Sequence, residues 1–160
     1  MKGDLIDSEW LAVALPEGFE VIEHQELETL MDLKYKYMWG VRDTERRMLM
    51  RVTWKDSNKL ITKLVSERSF AKQIDKKYAR CRPGSGYRSE GLFERSVTGA
   101  DAPAQGFRFS YTVEGVGQCG EVLVFKRGIR CYTLVYYTRS EVAEQNQPTY
   151  EGIIASLELR

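Results

Sequence analysis

In GEVLVFKRGIRCYTLVYYT, residues 120–138, two runs rich in β-branched and aromatic residues flank Arg127-Gly128. Such a pattern reads as an antiparallel hairpin. Side chains alternate across a strand. With the turn centred on Arg127-Gly128, Val122, Val124, Cys131, Thr133, Val135 and Tyr137 share one face. Leu123, Phe125, Tyr132, Leu134 and Tyr136 share the other. Both faces are largely apolar, whereas a sheet with one wet side shows one polar face. A covering layer on each side is therefore expected. This register also sets Cys131 opposite Val124 and Cys119 opposite Tyr136. At ~3.4 Å per residue the two are about 17 Å apart, beyond the ~7 Å that a disulfide spans, so free thiols are expected.

Upstream, Ala104–Glu114 alternates Phe107, Phe109, Tyr111 and Val113 on one face, a further long strand. Between it and the hairpin lies GVGQCG, residues 115–120, which matches G-x-G-x-x-G through Gly115, Gly117 and Gly120. A dinucleotide loop needs a helix after the glycines, whose N-terminus meets the pyrophosphate. Here the β-branched run Glu121–Phe125 follows, so the glycines are read as a reversal of the chain between Glu114 and Glu121, and no cofactor is expected.

Towards the N-terminus, Trp10–Leu15 reads as a strand stopped by Pro16-Glu17-Gly18. Residues 20–32 read as a loop or short helix. Lys34–Val41 and Arg47–Trp54 form a hairpin, with Tyr35, Tyr37 and Trp39 on one face and Met48, Met50, Val52 and Trp54 on one face of the return strand. Asn58–Arg80 has helical period, as one helix or two, with Leu60, Ile61, Leu64, Ala71, Ile74 and Tyr78 in one stripe. Ser57 or Ser66 is the expected N-cap. Pro83-Gly84-Ser85-Gly86 ends it. Gly91–Thr98 reads as a strand, and Pro148 is expected to open a final helix, with Tyr150, Ile153, Ile154 and Leu157 facing inward. The expected fold is α+β: one domain over residues 1–160, a three-layer α-β-α sandwich on a mostly antiparallel sheet of about six to seven strands.

The 160 residues are 42% hydrophobic, as in a folded globule, and no run approaches the ~20 apolar residues of a membrane span. Acidic residues stand where a signal peptide would be apolar. Three cysteines, Cys81, Cys119 and Cys131, make no disulfide framework and no C-x-x-C pair, and they suggest a reducing, cytoplasmic setting; export with a leader absent from this sequence is the alternative. The only histidine, His24, lies among Glu23, Gln25 and Glu26, where a solvated side chain is expected. No metal site, catalytic triad or assignable acid–base pair follows from these residues, so the chain is expected not to be an enzyme.

Charge is uneven. Residues 1–32 hold nine acidic side chains and one basic, while residues 33–95 hold seventeen basic and seven acidic, within a total of only +1. The run Lys72, Lys76, Lys77, Arg80, Arg82 and Arg88, with Tyr78 and Tyr87 interleaved, is the candidate region for a partner, and within it Lys72, Lys76 and Arg80, at i, i+4 and i+8, line one helix face and are the candidate contact. The near-neutral total and the absence of a recognisable motif argue against nucleic acid.

Taken in order, LPEGF (15–19), APAQGFRFSYTVEG (102–115), the hairpin 120–138 and YEGIIASLEL (150–159) resemble the PsbP/Mog-type fold family. That family includes the photosystem subunit PsbP, the Ran-binding nuclear-import factor Mog and DcrB-like bacterial proteins. The resemblance implies an α-β-α sandwich on an antiparallel sheet. It supplies no catalytic residue, and because better-known members bind other proteins it implies a binding role. The sequence reading is thus a non-enzymatic binding or adaptor domain that contacts a protein partner. The alternative is a small-molecule-binding protein or enzyme with a pocket lined by Tyr35, Trp39 or Trp54.

Overall fold

The computed structural model describes residues 4–31 and 36–160. The hairpin of residues 120–138 lies in the middle of an eight-stranded antiparallel sheet. Its arms are β9 (Val116–Arg127) and β10 (Arg130–Arg139). Outward from β10 come β5 (Met48–Asp56), β4 (Tyr37–Asp43) and β3 (Glu20–Ile22). Outward from β9 come β8 (Ala104–Val113) and then the short β6 (Arg88–Ser89) and β7 (Phe93–Arg95), both paired with β8. The turn falls at Gly128-Ile129, with Arg127 opposite Arg130. It is one residue later than expected, so every partner moves by two. Because side chains repeat every two residues, each keeps its expected face.

Val122, Val124 and Val135, with Phe107 and Phe109, bury against Ala71 of α3 (Glu67–Cys81). Leu123, Phe125, Tyr132, Leu134 and Tyr136 bury on the other side, against Tyr150, Ile153 and Ile154 of α4 (Ala143–Ser156) and against Leu11, Val13 and Leu15. Those three leucine and valine side chains belong to a small second sheet, β1 (Asp4–Asp7), β2 (Leu11–Leu15) and β11 (Glu158–Leu159). The architecture is the expected α-β-α sandwich, with more strands than the sequence suggested. At about 1.5–3 kcal/mol for each large apolar side chain buried, these two interiors supply the main drive to fold.

Several local readings change. Residues 20–32 hold β3 and α1 (His24–Met31). The helical stretch divides into α2 (Lys59–Leu64) and α3, because Asn58 and Ser66 each accept a backbone N–H as N-caps and Val65 between them is extended. Leu60, Ile61 and Leu64 share a face, as their spacing predicts, but that face is open to solvent, with Leu60 67% and Leu64 73% exposed. The strand expected over residues 91–98 is confined to Phe93–Arg95. Pro148 lies inside α4, where it is exposed, so the Glu144 carbonyl it leaves unbonded can face water. In GVGQCG only Gly115 turns the chain. Glu114 and Gly115 both take positive φ, as a two-residue hairpin turn demands, and Gly117 and Gly120 lie within β9. Gly120 is there for space, since a Cβ would stand 1.8 Å from the Tyr136 carbonyl oxygen.

Candidate binding cleft

On β5, Met48, Met50, Val52 and Trp54 enter the α4-side core, which turns Leu49, Arg51, Thr53 and Lys55 to the opposite face. On β10, Thr133, Tyr137 and Arg139 face the same way. Helix α3 covers this face over β8 and β9. At the other edge Leu27 of α1 packs on Gly40, whose missing side chain lets the helix close in. Between α1 and α3 the sheet stays uncovered, leaving a cleft of about 1020 Å³. Phe70, Ile74 and Tyr78 of α3 form one wall.

The lining is strongly basic. Arg42 is held by Glu20 and Glu26, and Arg47 and Arg139 by Glu141. Arg51, Lys55, Lys77 and Arg82 also line the cleft, and none of the four has a carboxylate partner among the described residues. Asp43, the one acidic lining residue, is bound by Arg46. The acidic N-terminal segment therefore neutralises part of the basic one, through β3 and α1 against Arg42, and leaves the cleft floor positive. The Arg82 guanidinium stacks on the rings of Tyr78 and Tyr111, at 4.4 and 4.7 Å. Burial pushes the Tyr78 phenol well above its ordinary value, assisted by Tyr137 and opposed by Arg51. Burial also raises Tyr111.

Lys72, Lys76 and Arg80 are exposed on one face of α3, as expected, but on its outer side; none lines the cleft. The α3 cation in the cleft is Lys77, one residue from the predicted row. Trp39 and Trp54 belong with the α4-side core, where Trp54 stacks on Tyr37, so they form no pocket on this face; Tyr35 lies outside the described residues. The sequence reading missed Arg51. Its signal was the alternation Leu49, Arg51, Thr53, Lys55 opposite Met48, Met50, Val52, Trp54, which marks a polar face without showing that a helix stands beside it. His24 bonds Glu28 in the open. All three cysteines are free. Among the described residues no group of His, Cys, Asp and Glu is arranged to hold a metal, and no helix is long and apolar enough to cross a membrane.

No known family pattern matches the sequence, and no curated protein is similar to it. Solved structures share its fold. Cyanobacterial PsbP (CyanoP) from Synechocystis superposes with a TM-score of 0.67 at 12% identity, over 99% of this chain and 93% of that one. LpqN of Mycobacterium tuberculosis, described as involved in cell envelope biogenesis, gives 0.58 at 10% identity over 98% and 84%. A mutant of Mog1 gives 0.58 at 6% identity over 99% and 96%. The chain thus has the PsbP/Mog-type fold. Identities this low speak to the fold alone.

Proposed function

We propose that this chain is a non-enzymatic binding domain that takes an acidic segment of a protein partner into the cleft between α1 and α3. The observation that carries this reading is the set of four cleft cations, Arg51, Lys55, Lys77 and Arg82, without carboxylate partners among the described residues. A cleft lined by one sign of charge concentrates ligands of the other. Lys72, Lys76 and Arg80 continue the positive surface over the outer side of α3 and add to the approach of such a partner. The free thiols support a reducing, cytoplasmic setting.

The test is capture from lysate of the source organism with three baits: wild type, Lys77→Glu/Arg82→Glu, and Lys72→Glu/Lys76→Glu/Arg80→Glu. A protein retained by wild type, lost from the cleft variant and eluted by moderate salt is the expected result. Loss only from the outer-row variant would move the contact to the solvent side of α3. Equal, empty lanes would favour a second reading, in which the cleft holds a small molecule. The volume of the cleft and its wall of Phe70, Ile74 and Tyr78 support that alternative.

A further inference from the structure

Arg51 stands at the centre of the cleft floor, level with Gly40 on β4 and Val135 on β10. Neither neighbour offers a polar side chain. Arg51 is 8% exposed, and its Nε is buried without a hydrogen-bond partner. Two other arginines have a buried, unpartnered Nε, but their guanidinium groups hold on elsewhere. Arg95 bonds Glu121 and Glu151, and Arg130 lies against Asp56 and Tyr132. Arg51 has no such carboxylate among the described residues. Withdrawing a guanidinium from water costs several kcal/mol unless an anion faces it.

We propose that the missing anion is a phosphate monoester group, seated on Arg51 and met from the α3 side by Arg82 and Lys77, with the Tyr78 and Tyr137 hydroxyls as donors. A guanidinium presents forked donors that match phosphate oxygens. Three cations with no carboxylate partner among the described residues come nearer to balance with a dianion than with one carboxylate. Tyr78 and Tyr137 both line the cleft with these cations, and a hydroxyl group can donate to a phosphate oxygen. The phosphate is either free, on a small molecule, or carried by a phosphorylated side chain of the partner; the second source rests on the binding function proposed above.

The experiment is calorimetric titration at fixed ionic strength. The probes are inorganic phosphate, acetate, a phosphoserine tetrapeptide, its unphosphorylated form and an acidic peptide of Asp and Glu. The proteins are wild type, Arg51→Met, Arg51→Lys and Lys72→Glu/Lys76→Glu. Phosphate should bind wild type, about tenfold or more weaker to Arg51→Met, with partial recovery in Arg51→Lys. Inorganic phosphate should bind the outer-row variant within about twofold of wild type, because Lys72 and Lys76 lie outside the cleft and have a part only in the approach of a protein partner. Arg51→Met should melt no lower than wild type, because replacing a buried unpaired charge by an apolar side chain is neutral or stabilising; this separates lost binding from lost folding. Tetrapeptide binding about tenfold tighter than inorganic phosphate would assign the group to the partner, and equal binding to a small molecule. Acetate matching phosphate, or Arg51→Met matching wild type, would overturn the proposal. If the acidic peptide still binds while phosphate does not, only the phosphate site falls; if neither binds, the partner-binding reading falls with it.

Discussion

The two faces of the central sheet are made from alternate residues of the same strands, yet they treat charge in opposite ways. On the α4 side Glu121, 2% exposed, accepts from Arg95, Arg108 and the Tyr150 hydroxyl, and Arg95 reaches on to Glu151. Every charge in that network has an opposite. On the α3 side Arg51 is almost as deeply placed and has none among the described residues. The first arrangement is closed within the fold; the second is the open charge on which the proposed binding rests. A buried ion pair is weak evidence of stabilisation, but removing one partner is costly because the other is stranded. This asymmetry between completed and open charge is the ground on which the α3-side face is proposed for binding.

The comparison breaks most directly at Glu121. Glu121→Ala leaves the buried Tyr150 hydroxyl without its acceptor and Arg95 with Glu151 alone, and should lose about 2–3 kcal/mol in urea unfolding. A loss below about 1 kcal/mol would mean that the α4-side charges are solvated and that the two faces do not differ. Gly120→Ala places a methyl group against the Tyr136 carbonyl and should cost about 1–3 kcal/mol by overpacking, read from the same melts. Ser66→Ala removes the N-cap of α3, the cleft wall, and should cost about 1 kcal/mol. If phosphate affinity falls with it, the wall positions the site.

A smaller effect sharpens the contrast through pH. Hydrogen bonding from Arg95 holds the Glu151 carboxyl below its ordinary 4.5, against the effect of burial. A depressed carboxyl stabilises the fold above the ordinary value, and the contribution fades as pH falls from about 4.5 through the lower folded value. The stability gap between wild type and Glu151→Gln should therefore close below pH 4.5, followed by thermal melts across that range. Smallest of all, Leu60→Ser on the open face of α2 should change stability by no more than about 0.5 kcal/mol. A larger loss would show that α2 packs against something.

The hairpin of residues 120–138 was legible because two-sided apolar alternation has one physical meaning, a sheet covered on both faces. Its exact pairing was not, since a turn moved by one residue leaves every side chain on the same face. The stripe Leu60, Ile61, Leu64, Ala71, Ile74 and Tyr78 was legible as a set of helix faces, yet Ala71 is buried and Leu60 is open. Period tells which residues look the same way; it does not tell what they look at. The same limit hid the site. Lys77 and Arg82 stood in the basic run beside Lys72, Lys76 and Arg80, but Arg51 shares a cleft with them only because two helices stop short of each other over the sheet.

The sequence by itself determined the long strands, their alternate faces, the cap at Ser66 and the need for layers on both sides, because these depend on neighbours within a few residues; the cap it offered at Ser57 falls instead on Asn58. Only the tertiary structure decided that Arg51 is buried and, among the described residues, without a carboxylate. That outcome depends on Leu27 closing on Gly40 at one edge and Ala71 closing on the phenylalanines of β8 at the other. The width left between them is set by contacts far apart in the chain.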